Sequence, residues 1–152
     1  MPKVAILLGS ESDKETMRDC GKYLDWFGID HEVKILSAHR NPDATAEFAK
    51  TAEKRGIDLI IAAAGMAAHL PGVIAANTTL PVIGVPLSGS DLRGLDALFS
   101  IVQMPAGIPV ATVSIGPAGA RNAAVLAAEI IALSSTKVKK RLQEFRKRGS
   151  KI

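Results

Sequence analysis

The chain has 152 residues, of which 47% are hydrophobic, and this size and apolar content are typical of one domain with a substantial core. Its apolar residues occur in short runs, none near the roughly 20 residues needed to cross a bilayer, which argues against a membrane partner. A single cysteine, Cys20, excludes an internal disulfide and a cysteine-cluster metal site and fits a reducing compartment. We therefore expect one cytoplasmic domain over residues 1–152.

The formal net charge of +4 is concentrated at the end of the chain. Residues 137–152 hold eight of the 19 Lys and Arg but one of the 15 acidic residues, which leaves 11 basic and 14 acidic residues elsewhere. Val138, Leu142 and Phe145 recur in this segment at helical spacing, without the aromatic interleaving typical of nucleic-acid binding. We predict a basic terminal helix or tail that is solvated or packs on another subunit, and no nucleic-acid partner.

Short runs rich in Val, Ile and Ala predict five strands, which alternate with segments of helical periodicity. The predicted strands cover residues 3–8, 31–37, 57–64, 81–86 and 109–115. Strand followed by helix, five times over, is typical of a parallel sheet that helices cover on both faces. The sequence therefore predicts a three-layer, flavodoxin-like α/β domain with a five-stranded parallel sheet and a C-terminal helix.

Two of the predicted helices have clear boundary signals. Asp13 is the expected cap of the first helix, which should stop at Gly28. Asn41 is the expected cap of the second, with Pro42 in its first turn and Gly56 at its end. Each helix thus begins just after the carboxyl end of a strand, the edge at which open α/β sheets bind ligands.

The first strand ends in "GSESD", residues 9–13. Glycine allows a tight turn, two serines offer hydroxyl groups, and the following helix directs its positive end toward this loop. An anion site and simple helix capping by Ser and Asp are both consistent with this pattern. The loop is neither a Walker motif nor a Gly-x-Gly-x-x-Gly dinucleotide fingerprint.

The second strand ends in "SAHR", residues 37–40. Arg40 can hold a phosphate bidentately, Ser37 can add a hydroxyl group, and His39 is of the residue type that titrates near neutral pH. His39 is either a solvated loop residue or the acid and base of an enzyme.

The third strand ends in "AAAGMAAHLPG", residues 62–72, where small residues allow a ligand to approach the backbone. His69 stands at the start of another helix, where it could cap, pack or contact a ligand. No spacing of His, Asp and Glu here resembles a metal site, and no Gly-x-Ser-x-Gly elbow is present.

Three stretches in this order, "GSESD", "SAHRNPD" and "AGMAAHLPG", with "LDALFSIVQMPAGIPVATVSIG" downstream, resemble the PurE family of purine biosynthesis. The resemblance runs from about residue 3 to about residue 133 and is closest to the family's microbial mutases. It implies transfer of a carboxylate from the N5 nitrogen to carbon C4 of an aminoimidazole ribonucleotide. It also implies a homo-octamer that uses no ATP, metal or organic cofactor.

The resemblance assigns roles residue by residue. His39 is the expected proton carrier, Asp13 is expected to bind the ribose hydroxyls, and the 5′-phosphate is expected to contact Ser12, Ser37 and Arg40. The base and the migrating carboxylate should be enclosed by Ser10, Gly65, Met66, Ala67, Ala68, His69 and Leu70.

Two other functions remain open from the residues. Animal-type carboxylases of the same family add carbon dioxide directly, but they lack the Ala-Ala-His-Leu-Pro-Gly segment that this chain has at residues 67–72. A non-catalytic nucleotide- or flavin-binding module could use the same fold.

The third loop departs from the common bacterial pattern, because Ala63 and Met66 stand at two of its glycines. We expect Met66 to sit in a permitted backbone conformation rather than at a positive φ, and to narrow or dry the pocket.

Overall fold

The computed structural model describes all 152 residues, and the elements alternate as the sequence predicts. The strands are β1 (Lys3–Leu8), β2 (Asp30–Ile35), β3 (Leu59–Gly65), β4 (Val82–Leu87) and β5 (Ala111–Thr112). The helices are α1 (Lys14–Phe27), α2 (Pro42–Thr51), α3 (Leu70–Ala76), α4 (Leu95–Val102), α5 (Pro117–Ala132) and α6 (Thr136–Lys147). None of these helices is long and apolar enough to cross a membrane.

The five strands form one parallel sheet in the order β2-β1-β3-β4-β5. This is the flavodoxin-like order, and it confirms the predicted three-layer α/β class. The chain leaves β1 toward one side of the sheet and β3 toward the other, so β1 and β3 flank the topological switch point. A ligand crevice is expected there, at the carboxyl ends of the strands.

Alternation along the strands divides the core into two layers. On β1, Val4, Ile6 and Leu8 belong to a cluster of 23 buried residues that also includes apolar residues of α1, α5 and α6. Ala5 and Leu7 face the other way, into a cluster of 15 buried residues shared with α2, α3 and α4. Because successive side chains of a strand point to opposite faces, a central strand must be apolar throughout.

The α1 helix matches its prediction in both bounds. Met17, Cys20, Leu24 and Phe27 form its buried stripe, and Gly28 ends it with φ 72° in the left-handed region. Cys20 is fully buried, as expected for a packing residue, and burial raises the pKa of its thiol to about 12. The thiol is therefore unreactive in the folded chain.

The two edge strands differ from their predictions. The predicted seven-residue strand 109–115 is only Ala111–Thr112, because Pro86 of β4 faces this edge and has no N–H to continue the ladder. At the opposite edge β2 is largely exposed, with Val33 49% accessible, so helices cover the sheet less completely than the apolar runs suggest.

The helix caps also differ in detail. Asp13 and Asn41 occupy the predicted N-cap positions, but neither side chain caps its helix with a hydrogen bond. The α2 helix stops at Thr51 rather than at Gly56, and a 3-10 turn over Glu53–Arg55 completes the segment. Gly56 then reverses the chain with φ 75°. The Asp13 side chain instead accepts a hydrogen bond from the Ser10 N–H, in the turn before α1.

The basic terminal segment forms the helix α6, as predicted, and its apolar stripe packs against its own chain. Val138, Leu142 and Phe145 are buried in the same core as α1 and α5. Arg141 also donates a hydrogen bond to the backbone oxygen of Trp26, near the end of α1. The helix thus buries its apolar stripe against its own chain and leaves its charged residues outside.

Candidate active site

A cavity of about 470 Å³ opens at the carboxyl edge of the sheet, around the switch point. Loops that follow β1, β2, β3 and β4 line it, so residues far apart in the sequence meet there. Eleven of the twelve predicted site residues lie on its wall: Ser10, Ser12, Asp13, Ser37, His39, Arg40, Gly65, Met66, Ala67, His69 and Leu70. The twelfth, Ala68, is fully buried in the core beneath the loop.

The cavity is also lined by five residues that the sequence did not indicate as site residues: Gly9, Ala38, Ala64, Leu87 and Gly89. Leu87 and Gly89 come from the end of β4 and the loop after it. The same argument that singled out the ends of the first three strands applies to the fourth. The fourth predicted strand is followed by the polar run Ser88-Gly89-Ser90-Asp91, and this signal could have indicated the site residues of its loop.

The loop after β1 is a 3-10 turn over Glu11–Asp13 organised by its own side chains. The Ser10 N–H donates to Asp13 Oδ2 at 3.0 Å, and the Ser12 N–H donates to Ser10 Oγ at 3.4 Å. The two serine hydroxyl oxygens lie 2.9 Å apart. This capping box fixes both hydroxyl groups and one carboxyl group at the cavity wall.

Asp13 is half-buried in this turn, and burial raises the pKa of its carboxyl above the usual range, although the hydrogen bond from the Ser10 N–H acts in the opposite direction. A carboxyl group held in this way accepts hydrogen bonds from polar hydrogens, such as those of hydroxyl groups, that enter the cavity.

Hydrogen bonds to Ser37 hold the backbone of the loop after β2, and they leave the side chains of His39 and Arg40 free. Ser37 Oγ accepts a hydrogen bond from the Arg40 N–H at 3.1 Å, and the Ser37 carbonyl accepts from the Thr45 hydroxyl at 3.2 Å. Thr45 is the one polar residue that is fully buried, and sequence reasoning missed it. With the backbone held by Ser37 and Thr45, the side chains of His39 and Arg40 stay exposed at the cavity. The Arg40 guanidinium takes part in no ion pair.

The loop after β3 brings a second imidazole to the first. Nδ1 of His69 lies 2.7 Å from Nε2 of His39, and the two rings meet edge to face with their centroids 4.8 Å apart. His69 stands at the N-cap position of α3 but makes no capping hydrogen bond with its side chain. The His69 side chain therefore does not cap α3, and it lies on the cavity wall.

Met66 contradicts its prediction, since its φ of 54° lies in the left-handed region. A residue with a Cβ pays about 1–2 kcal/mol for this conformation, whereas glycine does not. Its side chain is 63% exposed at the cavity, so it borders the opening without filling the interior.

No three His, Cys, Asp or Glu side chains are grouped so that they could hold a metal ion. The polar groups that face the cavity are two imidazoles, a guanidinium, serine hydroxyls and one carboxyl group. Such a set can bind an anion and move a proton between nearby atoms.

A parallel 2-1-3-4-5 sheet with this pocket at its switch point defines a flavodoxin-like α/β protein that carries an acid–base site. The sequence model of the AIR carboxylase family matches residues 3–151, and the chain belongs to that family.

Curated relatives are similar in sequence to this chain over nearly its whole length. The N5-carboxyaminoimidazole ribonucleotide mutase of Pyrococcus abyssi is 56% identical over 146 residues, which cover 96% of this chain and 83% of the relative. The mutase of the same name from Bacillus subtilis is 54% identical, over 95% of this chain and 90% of its own. The crystal structure of Treponema denticola PurE superposes with a TM-score of 0.86 at 29% identity, covering 99% of this chain and 92% of that one.

Proposed function

We propose that this protein is an N5-carboxyaminoimidazole ribonucleotide mutase, which moves a carboxylate from N5 to C4 of the imidazole. The observation that carries the proposal is the position of His39, whose ring stands exposed in the cavity beside Arg40 and the serine-rich turn. Relatives named as such mutases are 52–56% identical to this chain, which supports the same reaction here.

The nucleotide would bind along the polar side of the cavity. Arg40 has no anionic partner of its own, and the Ser37 hydroxyl accepts one hydrogen bond while its hydrogen remains free to donate. These two groups, with Ser12, suit the 5′-phosphate. Asp13 is the acceptor proposed for the ribose hydroxyls.

The base and the migrating carboxylate would lie deeper, against the loop after β3. Ser10 offers a hydroxyl group, and the backbone at Gly65 and Ala67 is open to close approach. Leu70 supplies a buried apolar wall, and Ala68 supports the loop from the core. His69 lies where it would contact the ligand beside His39.

His39 alone can donate and accept the one proton that the carboxylate transfer requires. The protonated imidazole gives its proton to N5 as the N5–carboxylate bond breaks, which leaves carbon dioxide and a neutral, electron-rich aminoimidazole. Carbon C4 then attacks the carbon dioxide, and the neutral imidazole removes the C4 proton. His39 ends protonated, as it began. Each proton transfer by a positioned side chain typically contributes about 10²- to 10⁴-fold.

The second contribution comes from binding the reactants together in the cavity. Carbon dioxide formed within reach of C4 reacts as an intramolecular partner, at a far higher effective concentration than carbon dioxide recaptured from solution. The short apolar side chains of Ala64 and Ala67, both on the wall, leave room for a small nonpolar molecule.

A direct test separates the mutase from the carboxylase branch of the family. We expect the protein to convert the N5-carboxylated nucleotide to the C4-carboxylated product faster than it converts aminoimidazole ribonucleotide supplied with carbon dioxide. The opposite preference would establish the carboxylase. Binding of both nucleotides without turnover would establish a non-catalytic module.

We also propose that the protein is cytoplasmic and assembles as a homo-octamer. Five large apolar residues on α4 and in the segments beside it are exposed: Leu92, Leu95, Phe99, Val102 and Ile108. Exposed apolar patches of this kind are typical of surfaces that bind another protein chain. The number eight rests on the family resemblance. Light scattering should give the mass of eight chains, and Phe99→Glu should lower it. A monomeric wild-type protein would refute the assembly.

A further inference from the structure

Met66 is the only large apolar side chain that is both exposed and on the cavity wall. The other apolar residues of the wall are three alanines and two leucines, and Leu70 and Leu87 are 2% and 4% exposed. Alanine is too short to cross an opening, and a buried leucine is held by its neighbours. The methionine side chain, 63% exposed and flexible, is the one apolar group free to move over the cavity.

The backbone at this position favours glycine. Met66 has a φ of 54°, which a residue with a Cβ adopts at a cost, and it follows Gly65 directly. Strain of this kind persists when the surrounding structure fixes it, and it is concentrated in functional sites. Arg93, in the loop before α4, has the same φ of 54° but does not line the cavity. A substitution there therefore controls for the backbone conformation of Met66 without changing the cavity.

We propose that the side chain of Met66 covers the carbon dioxide intermediate and decides whether the carboxylate is transferred or lost. The inference rests on the proposed mutase function. After the N5–carbon bond breaks and His39 has protonated N5, carbon dioxide is held by no covalent bond until C4 attacks it. An apolar thioether over the opening excludes water and retains a nonpolar molecule without hydrogen bonding to it. Met66 thus determines the fidelity of transfer and takes no part in the proton steps.

The consequence is measurable as carbon exchange. The substrate carries ¹³C in its N5 carboxylate, the buffer contains unlabelled bicarbonate and carbon dioxide, and mass spectrometry reports the label in the C4 carboxylate. The wild type should keep nearly all of the label. Met66→Gly should lose a severalfold larger share, because carbon dioxide escapes and unlabelled carbon dioxide replaces it. Met66→Leu should retain the label as the wild type does.

Two controls keep the result specific. Arg93→Gly relaxes the same backbone conformation outside the cavity, and it should retain the label. Incubation without protein gives the spontaneous loss to be subtracted, and circular dichroism shows that each variant is folded. Full retention of label by a folded, active Met66→Gly would overturn this inference alone. Absence of C4-carboxylated product from the wild type would overturn the proposed function, and the inference with it.

Discussion

Nε2 of His39, in the loop after β2, and Nδ1 of His69, in the loop after β3, lie 2.7 Å apart on the cavity wall. A hydrogen bond between two ring nitrogens needs one hydrogen between them, so one ring donates and the other accepts. Two fully protonated rings would both be donors and could not form it. The contact therefore holds the His39 ring in place before substrate binds.

Replacing His69 tests whether it positions His39 or carries protons itself. A net contribution of about 0.5–1.5 kcal/mol for one hydrogen bond corresponds to roughly a tenfold loss of rate or less. We expect that loss in kcat/KM for His69→Leu, and a smaller loss for His69→Asn, which keeps a polar group at the position. A loss in His69→Leu as complete as that in His39→Asn would show that His69 belongs to the proton transfer.

Asp13 makes stability depend on pH in a predictable direction. Burial raises the pKa of its carboxyl, offset in part by the Ser10 N–H, so the folded chain holds this proton more tightly than the unfolded chain. Its stabilising contribution is therefore present at low pH and is lost as pH rises from the ordinary aspartate range through the raised value. Asp13→Asn should be more stable than wild type above that window and equally stable below it, with weaker nucleotide binding.

Urea unfolding of Asp13→Asn across pH measures this difference. Asp91→Asn, in an exposed loop, controls for the loss of one negative charge. The Asp13 carboxyl is only half-buried, and solvent screening keeps the effect small. A wild type that is more stable than Asp13→Asn at neutral pH would contradict the account of this carboxyl.

The terminal helix should stabilise the domain through Phe145. Its ring is 2% exposed and lies 5.2 Å from that of Phe27 and 5.9 Å from that of Tyr23, between centroids. Phe145→Ala should lower the free energy of unfolding by about 3–5 kcal/mol, as truncations of buried aromatic residues do. Leu133→Ala, at an 89% exposed position, should change it by less than about 0.5 kcal/mol.

Chemical denaturation at one fixed protein concentration compares the two variants, because assembly would make stability depend on concentration. An unchanged unfolding midpoint in Phe145→Ala would place α6 outside the folded domain and restore the solvated tail that its charge suggests.

The central part of the fold followed from local patterns in the sequence. Residues 3–8 alternate between two buried faces, and the Gly28 stop marks the end of α1 as the structure has it. These signals are local, since strand periodicity and a left-handed glycine need no knowledge of distant residues. Three of the four loops that line the cavity were predicted because parallel strands bring their carboxyl ends to one edge.

What the sequence missed depends on contacts between distant parts of the chain. The length of β5 is limited by Pro86 of the neighbouring strand, and the burial of α6 depends on the space left beside α1 and α5. The φ of Met66 is set by how its loop leaves β3, which no propensity of methionine reveals. The His39–His69 contact joins loops 30 residues apart, so motif spacing alone could not show it.

The most direct test of the account is turnover of the N5-carboxylated nucleotide by wild type, His39→Asn and His31→Asn. His31 lies outside the cavity, with its Nδ1 3.4 Å from Asp25 Oδ1, and controls for the loss of a histidine. We predict that wild type and His31→Asn form the C4-carboxylated product at similar rates, and that His39→Asn is slower by at least about 10²-fold. Equal turnover by wild type and His39→Asn would contradict the assignment of His39 as the proton carrier.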